Sequence, residues 1–294
     1  MAPRMTPGLT SVDLTAGRFV SFGVMAALAM LLTRSSHQLP TARQAGTAVG
    51  MSLLGFSGYY LLLALAIRDA GTEVPSLIIG TIPIWMMLLG KPLGLKWSAL
   101  LPGLLLTAAG LALMVFATGT DLFGRVKPSG VHFWRGVAYA LMAMVSWTAF
   151  GLLNASWLKR HPHVSASEWA NWLGIATGTG ALLLWLLAGS STKELLALEN
   201  IGYLAIICIA TGIGSAWVAT IFWNVASQRL SASLCGQLIV SETLFGLAFA
   251  FAVLGQHFTL AQMVASGESS GTLDIMLARA ASMGVRTLSC WPRS

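Results

Sequence analysis

The chain has 294 residues, of which 56% are hydrophobic and only 9% charged, and its mean hydropathy is +0.75. Soluble domains carry roughly 25% charged residues, so this composition excludes a soluble globular protein and requires an integral membrane one. The formal charge of +7 would favour nucleic acid in a soluble chain, but the basic residues lie mostly between apolar runs, where headgroup anchoring is the expected use; no nucleic-acid partner is expected, and membrane lipid is.

Residues 1–16 read as a tail. The opening Met1-Ala-Pro-Arg-Met-Thr-Pro-Gly-Leu-Thr10 has no apolar h-region, so no signal peptide is expected. Apolar runs of spanning length follow near 17–33, 44–67, 74–90, 97–117, 134–157, 168–188, 201–223 and 231–254. At ~1.5 Å rise per residue across ~30 Å of hydrocarbon, these predict about eight helices. The polar stretch 119–133 is the natural connector between a first half at 17–118 and a second at 134–265. Gly46 with Gly50, and Gly174 with Gly178, put small residues at helical spacing, which favours close helix packing. Pro83 lies inside the third run and predicts a kink there. Beyond 265, Ser266-Gly-Glu-Ser-Ser-Gly271 interrupts the hydropathy. Leu273, Met276, Leu277, Ala280 and Gly284 then share one helical face, so 266–294 reads as a polar, amphipathic tail. Cys208 and Cys235 lie in apolar runs and Cys290 in the tail, an odd count without regular spacing that argues against a disulfide framework.

Two stretches match in pattern. Ala66 to Pro83 and Ala226 to Thr243 each end one helix, turn through a small polar loop and begin another with small residues. They start about five runs apart, an odd number, so the matching helices are expected to cross in opposite directions. The expected fold is therefore an all-α integral membrane protein: an inverted-repeat transmembrane helix bundle, with about eight clear spans and an interrupted one at the C-terminal end.

Glu242 sits at the centre of the last apolar run. A carboxylate there costs on the order of 3 kcal/mol unless it faces protein or a wet cavity. It is expected either to bind a substrate ammonium group or exchange a proton, or to serve as a structural carboxyl bonded to a neighbouring helix. Gln237 opens the same run and either shares that cavity or bonds between helices. Trp147 and Asn154, seven apart on one helical face, offer an aromatic plate and an amide for a polar organic ligand, or simply core packing. Tyr60 is a cavity-lining candidate, with one of the Tyr59–Tyr60 pair expected to face away. Trp223 and Asn224 are expected at the membrane boundary. Glu168 and Asn171 are expected to cap a helix start. His161 and His163 flank Pro162 without a third ligand, so no metal site is expected. No Gly-x-x-x-x-Gly-Lys-Ser/Thr loop is present, which argues against ATP hydrolysis and leaves no cofactor to expect.

Ala16-Gly17-Arg18-Phe19, the stretch from Tyr60 to Pro83, Ser146-Trp147-Thr148-Ala149-Phe150-Gly151 and Ser241-Glu242-Thr243 together resemble, in order, the drug/metabolite transporter superfamily, EamA type. Thr243 stands where that family often has proline. The resemblance covers most of 17–265 and implies ten helices in two inverted halves, export or exchange of small organic metabolites by alternating access, and a bacterial inner-membrane location. The aromatic amino-acid exporter branch is the closer relative it points to. Against that pattern the family's first helix is expected to be missing here. A truncated, non-transporting membrane protein or interaction subunit is thus the alternative reading. An integral membrane enzyme is a third and weaker one, because one buried carboxylate supplies no acid–base or nucleophile set.

Overall fold

The computed structural model describes residues 11–33, 40–71, 73–91, 131–196 and 201–239, together with positions 98, 101, 104, 105 and 108. The described residues are helical throughout apart from turns. In chain order they form α1 (Ser11–Leu32), α2 (Ala42–Ser52), a π-helical turn π1 (Leu53–Ser57), α3 (Gly58–Ala70), α4 (Glu73–Gly80), α5 (Ile82–Leu89), α6 (Val131–Arg160), α7 (Ala166–Ala188), α8 (Thr192–Leu196), α9 (Ile201–Thr211), a second π turn π2 (Gly212–Val218) and α10 (Ala219–Arg229). A further helix, α11, occupies 232–239.

The expectation of about eight spans is not met. Five helices among the described residues are long and apolar enough to cross a membrane: Val12–Leu32, Ala42–Ala70, Val131–Arg160, Ala166–Leu187 and Ile201–Arg229. The third predicted run, 74–90, is instead two short helices. α4 stops at Gly80 and α5 starts at Ile82, and the run Val74–Leu89 falls short of spanning length. Thr81 makes the break. Both its backbone N–H and its hydroxyl donate to the Ile78 carbonyl, at 3.1 and 2.6 Å. Pro83 follows in the first turn of α5, where a missing N–H costs nothing. Most of 97–117 and of 231–254 lies outside the described residues, as does the tail 266–294. The eight-span inverted-repeat bundle is accordingly replaced by an all-α, multi-pass bundle with five long apolar helices among the described residues.

Local chemistry sets the helix ends. Thr41 and Gln44 form a reciprocal capping box at the start of α2. Ser165 accepts from the Glu168 N–H to start α7. α3 ends at Gly71, whose φ of 78° is open to glycine without a Cβ clash and whose N–H reaches the Ile67 carbonyl. Ser191 and Glu194 cap α8 reciprocally. The Ser191 N–H and hydroxyl both donate to the Glu194 carboxylate and hold its pKa below the usual range.

The two longest interrupted helices share one plan. Ala42–Ala70 and Ile201–Arg229 are each 29 residues, and in each the π turn begins eleven residues after the start, at Leu53 and at Gly212. A π turn shifts the ladder from i→i−4 toward i→i−5 and leaves a carbonyl over. In lipid such a carbonyl needs a donor. Ser146 supplies one to the Leu54 carbonyl at 2.8 Å, and Arg18 reaches the Ser215 carbonyl at 3.5 Å.

The described chain divides into two compact units, 1–65 with 145–229 and 66–144 with 230–294. In the first, α1 packs along α7 through glycines. A Cβ on Gly23 would lie 2.7 Å from the Gly178 Cα, and one on Gly174 would lie 2.7 Å from the Ala26 Cβ. Gly46 and Gly50, the other predicted pair, have nothing within 4 Å. The core beside this seam is aromatic. Trp157 and Trp169 stack at 3.7 Å between centroids, with Phe150, Trp172 and Leu173 packed around them. In the second unit, Arg135 and Arg68 both engage the Asp69 carboxylate, at 2.6 and 3.0 Å, and Gly236 lets α11 close onto Met86 and the Pro83 carbonyl.

Gly178→Ala forces backbones apart where no side chain can yield. It should destabilise by about 1–3 kcal/mol, the usual range for overpacking, and lower Tm in detergent by several degrees. Gly50→Ala at an open helical position should leave Tm unchanged or raise it. Equal Tm losses for the two variants would place the close seam elsewhere.

Candidate functional site

Arg18 is the most deeply placed charged side chain in the described spans. It lies six residues inside Val12–Leu32, roughly 9 Å along the axis. A cation at the bilayer centre costs on the order of 3 kcal/mol, so its surroundings decide its role. Nη1 donates to the Tyr60 hydroxyl at 3.1 Å and Nη2 reaches the Ser215 carbonyl at 3.5 Å. The guanidinium also lies 5.3 Å from the Tyr60 ring centroid and 5.6 Å from that of Phe19, within cation–π range. Nε is buried and meets no acceptor.

Tyr60 stands at the edge of a narrow, open cleft with a cavity volume of about 30 Å³. The lining is Val12, Thr15, Ala16 and Phe19 of α1, Ser57 of π1, Tyr60, Leu61 and Ala64 of α3, and Ala181 and Leu184 of α7. The walls are almost wholly apolar, and the polar groups are hydroxyls. Ser57 ends the π turn π1. A helical serine ordinarily donates to the carbonyl four residues back, as Ser21 does to Gly17. Here the Gly58 N–H takes the Leu53 carbonyl, and the buried Ser57 hydroxyl has no hydrogen-bond partner in the protein.

A second polar group lies deeper in the same unit. Trp169 Nε1–H donates to Asn154 Oδ1 at 2.7 Å, Asn154 Nδ2 to Asn224 Oδ1 at 3.0 Å, and Asn224 Nδ2 to the Ala166 carbonyl at 3.2 Å. Both asparagines are fully buried. This relay ties α6, α7 and α10 together. Close by, Trp217 Nε1–H donates to Asn171 Oδ1 at 2.8 Å. Trp147 stacks obliquely on Trp223, at 5.5 Å between centroids.

No protein-family model matches the chain. It is 29% identical over 263 residues to the inner membrane protein YtfF of Escherichia coli (strain K12), an alignment covering 85% of this chain and 81% of that one. A protein solved by crystallography superposes with a TM-score of 0.70 at 18% identity, covering 92% of this chain and 88% of that chain, which shows a shared fold. The chain is thus a multi-pass integral membrane protein homologous to a bacterial inner-membrane protein, and an inner-membrane location follows.

Of the residues singled out by sequence, Tyr60 lines the cleft, while Tyr59 is buried and packs edge-on against it, 5.1 Å between centroids. Asn154 and Trp147 share α6 and meet α10 through Asn224 and Trp223 respectively. Gln237 is buried on α11 in the second unit, and Pro83 is buried at the start of α5. Glu242 lies outside the described residues. Asn224, expected at the membrane boundary, is instead a buried relay member. Sequence reasoning passed over Arg18 as a site residue, although a cation inside an apolar run was a visible signal. It passed over Ser57 because nothing in the sequence announces a π turn. Among the described residues, no group of three or more His, Cys, Asp or Glu could hold a metal ion.

Asn154→Ala removes both an acceptor and a donor from the relay and strands the Trp169 indole N–H. The expected cost is about 1–3 kcal/mol, read as a lower Tm with a shifted tryptophan emission. An unchanged Tm would show the relay to be energetically idle.

Proposed function

We propose that the protein is a secondary transporter, an exporter or exchanger, of small organic metabolites across the inner membrane, working by alternating access. The observation that carries this reading is the Tyr60 cleft: a narrow, open cleft with hydrogen-bonding groups at its edge, sunk among helices apolar enough to span a bilayer. Relatedness to an inner-membrane protein over most of the chain supports it. The aromatic walls at Phe19 and Tyr60 suit solutes with a flat or apolar body, so amino acids, the aromatic ones included, are within the proposed range. Solute and lipid are the partners, and no cofactor enters.

Alternating access requires helices that bend. π turns and proline breaks are the established places for bending, and this chain has them at Leu53–Ser57, at Gly212–Val218 and at Thr81–Pro83. Trp147, Asn154 and Gln237 are proposed as secondary contacts or supports. Glu242 is proposed as the group that binds a substrate amine or carries a coupled proton.

The test is a metabolite export screen in cells, followed by flux into proteoliposomes with imposed pH and solute gradients. Export of at least one solute class should rise severalfold over cells lacking the chain. Failure of every solute to move faster than in protein-free vesicles would end the reading. Glu242→Gln should slow flux and flatten its pH dependence. Unchanged flux and pH profile would remove that residue from the mechanism without touching the transporter assignment.

A further inference from the structure

We propose that Arg18, Tyr60 and Ser57 form an anion subsite that takes the carboxylate of a small organic acid, with the acid's apolar body along the Phe19 side of the cleft. This deepens the transporter reading and rests on it.

The site holds donors without acceptors. Arginine carries five N–H donors and no acceptor. Two of them meet neutral oxygens, at 3.1 and 3.5 Å, and the buried Nε–H meets none. Among the described residues no carboxylate pairs with Arg18; Asp69 engages Arg68 and Arg135. Tyr60 accepts from Arg18 and so keeps its own hydroxyl proton to give. Ser57 lines the same cleft as Tyr60, with its hydroxyl unclaimed. Ser57 and Tyr60 line the cleft and Arg18 adjoins it through Tyr60, so all three offer protons, and Arg18 carries a charge that no described carboxylate pairs. A carboxylate, acceptor-only and able to take several hydrogen bonds, completes the set. The remaining lining of Phe19, Leu61, Ala64 and Ala181 is apolar, which favours a monocarboxylate with a hydrocarbon or aromatic body over a strongly hydrated polyanion. The competing role for Arg18 is a brace for the π2 carbonyl of Ser215, and the experiment separates the two.

The full-length protein in nanodiscs is titrated by calorimetry with 3-phenylpropionate and with 3-phenylpropanamide, which share a shape and differ in charge. The acid should bind at least about tenfold more tightly than the amide. Arg18→Gln should abolish that preference while amide binding persists, and Arg18→Lys, which keeps the charge but not the fork, should retain part of it. Equal binding of the pair, no binding of the acid, or a preference that survives Arg18→Gln overturns the subsite and leaves Arg18 as a brace. If Arg18→Gln does not fold, Ser57→Ala and Tyr60→Phe decide: each should weaken the acid severalfold and leave the amide alone, and unchanged acid affinity in both overturns the proposal. Counterflow in proteoliposomes keeps the two readings apart. Charge-selective binding without solute movement sinks the transporter and keeps the subsite, whereas flux of solutes with no charge-selective binding sinks the subsite and keeps the transporter.

Discussion

Inside an apolar slab a backbone carbonyl has no water to turn to, and every departure from a regular helix must bring its own donor. This chain departs three times in its described helices, and each departure is answered by a side chain. Leu54 receives the Ser146 hydroxyl, Ser215 receives the Arg18 guanidinium, and Ile78 receives the Thr81 hydroxyl. Those answers fix neighbours. Ser146 can serve Leu54 only if α6 lies against π1, and the fit is close: a Cβ on Gly55 would fall 2.4 Å from the Phe150 ring. Arg18 can reach π2 only if α1 crosses it, and Gly212 permits this by lying against the Arg18 carbonyl. The polar demands of irregular backbone thus select the same contacts as apolar packing does.

Close approach in turn makes the cleft. α1 and α7 meet at Gly23 and Gly178, with no side chain between them. Phe19 and Ala181, on the same seam, are buried, and the hollow opens where Ser57, Tyr60 and Ala64 face them. Lipid tails are as apolar as leucine, so no hydrophobic force pushes two such helices together. Dispersion along a glycine seam and a few hydrogen bonds carry the association instead. The buried Ser52–Thr177 pair at 2.8 Å is one of them, and the Asn154 relay supplies others.

The spans were legible where hydropathy alone decides. The run predicted at 44–67 is Ala42–Ala70 and that at 134–157 is Val131–Arg160; capping residues and polar ends carry each helix beyond its apolar centre. The 74–90 run misled because its composition is that of a span, while Thr81 diverts its own backbone and side-chain donors to Ile78 and breaks the helix. Faces were harder to read than spans. Spacing by sevens holds along uninterrupted α6, where Trp147 and Asn154 do share a side. A π turn adds a residue to its coil and swings everything beyond it by roughly a quarter turn or more. From Ser52 onward, helical-wheel reasoning therefore cannot say which of Ser57, Tyr59 and Tyr60 meets α1. Gly174 and Gly178 were legible as a seam, but the identical spacing of Gly46 and Gly50 meets nothing, because small-residue spacing marks where a helix is able to approach and says nothing of whether a partner is there.

Magnitudes decide what Arg18 is for. Its bond to the Ser215 carbonyl, at 3.5 Å, is at the outer limit of hydrogen-bond geometry. A brace alone would be served as well by a serine or threonine, as Ser146 serves Leu54 at 2.8 Å without carrying a charge into the span. The two rings contribute on the order of 0.5–2 kcal/mol each as cation–π partners, enough to orient the guanidinium but not to neutralise it. Tyr60 adds a neutral hydrogen bond of about 1 kcal/mol net. Together these hold the guanidinium in place while leaving its positive charge intact. Neutral partners that hold a cation in place without cancelling it are what a binding group requires, because the remaining stabilisation is then available only to a molecule that brings the opposite charge.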